Sequence, residues 1–290
     1  MISTQHRKAN ADGVTVEEYF HKEVRKHPSC LLYDTRSCNV LLRSETYARE
    51  ILGPIEGHRR ILEVGAGDCT DSITLAGNTN LVWAIDIVAR RLAEGRRNID
   101  NLGKADRILP IRMDTHHLAF PDGCFDLIVG NSVLLFLNKS EFLKECYRTL
   151  RPGGRALFFN ESMEHPLLRL WRSLSPRLRA REGISRRLKV PEIEVLIRQF
   201  GEGAHREFYF VSVPFAPVIQ RFGTHRAVAA LARLVNDFDE FLLRKLPVLR
   251  RYCWIAVVEF RKQGGARTGD SDRLSTNCSS QARLRDTARW

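Results

Sequence analysis

The chain reads as an α/β protein built on a parallel sheet, and two observations carry that reading. From Arg60 onward, short apolar runs alternate with stretches of helical periodicity, the pattern of parallel strands joined by crossover helices. At the head of that alternation, RILEVGAGDCTDSITLAG, Arg60 to Gly77, is an apolar strand running into a glycine loop and then a helix.

The elements follow in order. Residues 15–26 and 43–52 have helical periodicity and flank the irregular HPSCLLYDTRSCN, so residues 1–58 are expected to form an N-terminal helical cap. Strands are expected at RILEVGA, NLVWAIDI (80–87), RILPIRMD (107–114), FDLIVGNSV (125–133) and RALFFNES (155–162). Helices 70–76, 89–102 and 139–150 lie between them, and RPGG, with Pro152 and two glycines, is expected to turn the last helix into the fifth strand. Beyond Ser162 the alternation is interrupted by insertions at about 163–190 and 214–251. A helix PEIEVLIRQFG, with Pro191 in its first turn, and two late strands, HREFYFVSV and YCWIAVVEFRK, complete a domain over 59–262. The late strands lack a simple crossover, so they can pair antiparallel at one edge. Residues 263–290, rich in Ser, Thr, Arg, Gly and Asp without apolar periodicity, are expected to be a disordered tail.

At 290 residues and 43% hydrophobic the chain can bury a sizeable core. Its 46 Lys and Arg against 34 Asp and Glu favour an anionic partner: nucleic acid, acidic lipid headgroups or an acidic substrate. No run approaches the ~18 apolar residues that span a bilayer, and the N-terminus has no apolar signal region, so a cytoplasmic protein is expected. The seven cysteines are scattered, without CxxC pairs or zinc spacing; reduced thiols and no metal are expected.

The loop discriminates between cofactors. A dinucleotide fingerprint would place its third glycine at position 70, which is Thr70, and Glu63 and Asp68 would repel a pyrophosphate. A carboxylate at the end of an apolar strand is costly to desolvate unless a cation or hydrogen-bond donor meets it. S-adenosylmethionine carries an ammonium and a sulfonium and has no phosphate. Asp86, ending the next strand, is spaced to hold both hydroxyls of a ribose, against the plainer reading of a helix cap.

In four ordered motifs, ILEVGAG, VWAIDI, MDTHHLAFPDGCFDLIVGNSVLLFL and LRPGGRALFFNES, the chain resembles the class I S-adenosylmethionine-dependent methyltransferases, particularly the small-molecule group, over about 60–162. The resemblance implies a Rossmann-like seven-stranded sheet with helices on both faces and its last strand antiparallel. It implies that Glu63 binds the methionine amino group and that Gly65, Ala66 and Gly67 let the backbone approach the cofactor. Asp86 would hold the ribose and Ile87 would pack on adenine. Asp114 would accept from the adenine amino group, with a backbone N–H of Thr115 or His116 reaching the ring. Asn131 would line the methionine side. The family often has glycine where this chain has Cys69, so a required positive φ there would be strained.

Methyl transfer depends mainly on alignment, and a base is needed only for an acceptor that is not already nucleophilic. His165, after the fifth strand, is the candidate base; a surface-loop histidine is the alternative. Tyr33, Asn160 and Glu161 are candidate substrate contacts, set against ordinary packing and capping. The basic stretch 165–190 reads as a substrate-covering lid or as a weak peripheral membrane contact. The activity expected is transfer of a methyl group to a small, lipophilic or acidic metabolite, most often at oxygen. RNA methylation, prompted by the charge, and a non-catalytic binding protein are the alternatives; no specific nucleic acid partner is expected.

Overall fold

The computed structural model describes residues 42–53, 60–77, 79–174, 186–222 and 226–264. The elements are α1 (Leu42–Leu52), β1 (Arg60–Val64), α2 (Thr70–Ala76), β2 (Leu81–Asp86), α3 (Ala89–Asn101), β3 (Ile108–Arg112), β4 (Phe125–Asn131), α4 (Lys139–Thr149), β5 (Leu150–Ser162), α5 (Pro166–Leu174), α6 (Val190–Phe200), β6 (Glu202–Phe208), α7 (Ala216–Phe222), α8 (Arg226–Lys245) and β7 (Ile255–Arg261). One seven-stranded sheet has the order β3-β2-β1-β4-β5-β7-β6. The last strand, β7, runs antiparallel to both β5 and β6, as the interrupted C-terminal pattern predicts. The expected helix 15–26, Tyr33 and most of the tail lie outside the described residues.

Strict alternation gives the sheet two buried faces. Leu62, Val64, Trp83, Ile85, Ile128 and Phe158 face α4 and α6, with Trp83 and Phe125 meeting edge to face. Ile61, Val82, Ala84, Leu127 and Leu157 face α1, α2 and α3. Burying each large apolar side chain contributes about 1.5–3 kcal/mol, which is why these near-continuous apolar runs become central strands. The helices after β1 and β2 cover one face and that after β4 the other, so β1 and β4 diverge where a parallel sheet offers its ligand crevice.

Several strand ends differ from expectation: β3 stops at Arg112, β4 at Asn131, and β6 spans Glu202–Phe208 in place of HREFYFVSV, while β5 differs most. RPGG lies inside β5, which begins at Leu150 paired with Phe125; only Gly153, at φ 74°, bends it. Further along, two residues of β5 oppose one of β7 between Phe158 and Glu161, and Asn160 takes a left-handed φ of 54°. Such a bulge resets the alternation. Glu161 consequently reaches the face carrying Leu134, while Asn160 turns toward α1.

Candidate active site

The loop between β1 and α2 has left-handed backbone at alternate residues: Gly65 at φ 69°, Gly67 at 55° and Cys69 at 60°. The positive φ at Cys69 is the strained alternative for a side-chain-bearing residue. Its thiol is fully buried, and burial pushes its pKa up, which leaves no nucleophilic thiolate. A Cβ on Gly65 would come within 2.9 Å of Val133 Cγ2, and one on Gly67 within 2.4 Å of the Arg91 guanidinium. Both positions require glycine for conformation, and Gly65 requires it for space as well, whereas the flexible Arg91 side chain could swing away from a Cβ at position 67.

Four acids gather at the strand ends around this loop. Glu63 is buried and accepts a short hydrogen bond from Ser72 Oγ on α2. Burial, then the charge of Asp71, raises its pKa well above the usual carboxylate range, and Asp68 and Asp86 push the same way. Burial likewise pushes Asp71 up to about 6, against a hydrogen bond from Asn131 Nδ2 at 3.0 Å and the charge of Arg49. Asp71 Oδ1 is buried without a hydrogen-bond partner. Asp86 accepts from the Gly67 and Val88 backbone N–H groups, each at 2.8 Å, so it braces the glycine loop and still has lone pairs facing outward. Its pKa is also raised by burial, against the Val88 hydrogen bond and the charge of Arg91.

Beside this cluster, Ala66 N donates to the Ile85 carbonyl at 3.0 Å, and Ile87 is half-buried at the end of β2. Asp114 lies two residues past β3. Its Oδ1 accepts from the His116 backbone N–H at 2.9 Å and from His116 Nδ1 at 3.0 Å. His116 Nε2 accepts from the Asn138 N–H at 3.1 Å, so the proton sits on Nδ1 and the ring ties Asp114 to the start of α4. Thr115 is buried, and its hydroxyl has no hydrogen-bond partner.

On the other side, Asn160 Nδ2 donates to Asn131 Oδ1 at 3.3 Å, while Asn160 Oδ1 accepts from Ser44 Oγ at 2.8 Å. The Tyr209 hydroxyl caps the first turn of α1 by accepting from Ser44 N at 3.0 Å. A continuous polar chain thus runs from Asp71 through Asn131, Asn160 and Ser44 to Tyr209. Glu161 is fully buried and accepts from the backbone N–H groups of Val133 (2.9 Å) and Leu134 (3.1 and 3.2 Å). Burial pushes it up to about 7, against those bonds and Lys139. It caps the turn Leu134–Phe136 that roofs the crevice, the cap reading of its two sequence alternatives. His165 is 2% exposed, and its Nε2 donates to the Phe210 carbonyl at 2.9 Å.

The structure therefore gathers Glu63, Gly65, Ala66, Gly67, Asp86 and Asn131 around one loop, with Asp114 and Thr115 at the neighbouring strand end. Asp71, Ser72, Ser44 and Tyr209 join this cluster without having been singled out from the sequence, and the His116 backbone N–H, expected to reach the adenine ring, donates to Asp114 instead. For Asp71 and Ser72 a signal existed: polar residues in the first turn of the helix that follows the loop. Among the described residues, no group of His, Cys, Asp and Glu is placed to hold a metal ion.

Comparison with known proteins agrees with this geometry. A family model described as Methyltransferase domain matches residues 62–158. The ubiquinone/menaquinone biosynthesis C-methyltransferase UbiE of Pseudoalteromonas translucida (strain TAC 125) is 34% identical over 165 residues, 55% of this chain and 64% of that protein. UbiE of Pectobacterium carotovorum subsp. carotovorum (strain PC1) is 31% identical over 148 residues, 50% of this chain and 58% of that protein. The chain thus spans less than two thirds of the length of these relatives. A putative sarcosine dimethylglycine methyltransferase from Galdieria sulphuraria shares the fold with a TM-score of 0.54 at 17% identity, over 84% of this chain and 97% of that one. Glycine loop, strand-end carboxylates and sheet order, with the match of residues 62–158 to a methyltransferase domain, make this chain similar to the class I S-adenosylmethionine-dependent methyltransferases.

Proposed function

We propose that the chain transfers a methyl group from S-adenosylmethionine to a small lipophilic or acidic metabolite. One observation carries the cofactor: burial pushes Glu63 and Asp71 toward protonation, the charge of Asp71 adds to this at Glu63, and Asp71 Oδ1 is buried without a hydrogen-bond partner. An ammonium beside them, with a sulfonium nearby, supplies the opposite charge. Glu63 and Asp71 hold the ammonium, Asp86 the ribose, and Asp114, steadied by His116, the adenine amino group. Gly65 and Gly67 let the backbone come close, Ile87 packs on the ring, and Asn131 orients Asp71. When bound, the cofactor supplies an electrophilic methyl on a good leaving group. The residues of this chain contribute alignment and exclusion of water.

For the acceptor atom, oxygen is the expectation from sequence, whereas the relatives at 34% and 31% identity bear the name C-methyltransferase. We take an activated carbon as the target on that support. For His165 we propose a positioning role, since its Nε2 is committed to the Phe210 carbonyl; Asn160 likewise holds α1 over the strand ends. No helix among the described residues is long and apolar enough to cross a membrane. For α5 we propose weak peripheral contact with a bilayer: Leu167, Leu170, Trp171 and Leu174 are exposed beside Arg169.

The test is a labelled-methyl transfer assay against a lipid-soluble extract of the producing cell. A single small product carrying the label on a carbon–methyl bond is expected. Label in RNA or protein, or no S-adenosylmethionine binding by calorimetry, overturns the reading.

A further inference from the structure

A second concavity lies at the β6 edge of the sheet, four strands away from Glu63. It is a cavity of about 390 Å³ between β6, α8 and the turn Pro247–Tyr252. Its acids are committed. Glu207 pairs with His205, Asp237 with Arg43, and Glu240 with Arg206 at 3.8 Å. Asp239 accepts from the backbone N–H groups of Phe210, Val211 and Ser212 at 2.8 to 3.2 Å. Two further lining residues, Arg244 and Arg250, have no carboxylate partner among the described residues. The lining as a whole balances four arginines against four acids, yet Arg244 and Arg250 remain free to take an external anion.

An apolar stripe leads away from the same mouth. Leu231, Leu234, Phe238 and Phe241 recur at spacings of three and four along α8, so they share one face, and they are 45%, 66%, 52% and 48% exposed. Phe241 also lines the cavity, and Val248 and Tyr252 continue the exposed surface on the turn beyond. Contiguous exposed apolar surface of this kind marks an interaction site.

We propose that this edge docks on an anionic phospholipid surface, with a headgroup phosphate taken by Arg244 and Arg250 and the α8 stripe entering the headgroup–acyl boundary. A soluble phosphate would satisfy the arginines and leave the stripe uncovered. A second copy, paired through the stripe, would set Arg233, Arg244 and Lys245 against their own equivalents, because the acids of α8 are engaged within the chain. The proposal shares a bilayer partner with the reading of α5 above and is separable from it, since α5 has its own exposed residues.

The test is co-sedimentation of the full chain with vesicles of phosphatidylcholine, with and without phosphatidylglycerol. Each arginine near an anionic leaflet is worth about fivefold in affinity, so R244A/R250A should lose roughly 25-fold on the anionic vesicles while keeping S-adenosylmethionine binding. R244K/R250K should retain most of the binding, and F238S/F241S should weaken it independently. An α5 variant, L170S/W171S, that abolishes all binding while R244A/R250A changes nothing would overturn the proposal and leave the α5 reading standing. Glycerol phosphate binding as tightly as vesicles would assign the arginines to a soluble anion, and a dimer dispersed by F238S/F241S with no vesicle binding would assign the stripe to a second copy. Either result overturns the proposal.

Discussion

Asn131 Nδ2 donates to Asp71 Oδ2 at 3.0 Å, so the end of β4 fixes the carboxylate that projects from the first turn of α2 beside Glu63. The second oxygen of Asp71 is left buried and unmatched. Replacing either acid should weaken cofactor binding by about 1.5–3 kcal/mol, the worth of a charged hydrogen bond. Calorimetry on Glu63→Gln and Asp71→Asn should show equal losses for S-adenosylmethionine and S-adenosylhomocysteine, since both carry the ammonium. Loss for S-adenosylmethionine alone would place the carboxylate at the sulfonium instead.

The same acids give binding and stability a pH dependence. The pKa of Asp71 rises from 3.8 to about 6 in the folded chain, so between those values the fold keeps a proton that the unfolded chain has released. By linkage the cofactor-free protein loses stability as pH rises through that window, and the penalty is complete above it. A bound cation favours the ionised form, so the gain in Tm on adding S-adenosylmethionine should be larger at about pH 7.5 than at about pH 5. A gain independent of pH would separate Asp71 from the cofactor.

At position 69 a strained residue is matched by space elsewhere. A Cβ on Gly95 of α3 would sit 2.6 Å from Cys69 Sγ, 3.1 Å from its Cβ and 3.0 Å from the Asp68 carbonyl carbon. Cys69→Gly removes a left-handed φ costing about 1 kcal/mol, so cofactor affinity should be kept or improved. Gly95→Ala should destabilise the parent by about 1–3 kcal/mol and do less damage in the Cys69→Gly background. Additive melting shifts in the double variant would mean that the two positions do not share this contact.

On the proposed reading, His116 positions Asp114 for the adenine amino group. His116→Ala removes the Nδ1 hydrogen bond and leaves the backbone N–H on Asp114, so it should raise the Kd for S-adenosylmethionine by about three- to tenfold. The readout that distinguishes positioning from folding is base selectivity. S-inosylhomocysteine, which lacks the amino group, should be affected less than S-adenosylhomocysteine, and equal effects on both would count against Asp114 as the adenine acceptor.

Glu161 carries the roof of the crevice. Glu161→Ala leaves the Val133 and Leu134 N–H groups without their acceptor and should cost about 2–4 kcal/mol in denaturant unfolding. Little loss would mean that water replaces the carboxylate there.

Much of the cofactor half was legible because it is local. Strand, glycine loop and helix follow one another within 60–77, Asp86 ends β2 and Asp114 lies two residues past β3, after apolar runs that stand out. Positions set by distant partners were not. Ser44 meets Tyr209 across 165 residues and Asn160 across 116, and nothing in the spacing of any of them encodes the meeting. His165 reads as a loop histidine beside a proline, yet the chain 45 residues later supplies the carbonyl that fixes it. The conformation at Cys69 was open for a different reason, since residue type constrains φ only weakly outside glycine and proline.

The bulge at Asn160 makes part of this site a matter of counting residues. Removing the extra residue at position 160 would return β5 to simple alternation, with Phe159 opposite Val257 and Glu161 still opposite Ala256 on the face of Val133 and Leu134, so the turn above the crevice would keep its anchor. What would be lost is the Asn160 amide that joins Asn131 to Ser44 on α1. In this strand, length specifies the site as strictly as composition does: one added residue lets β5 send Glu161 to one face and an amide toward α1, and a related chain without it would keep the turn and lose the link to α1.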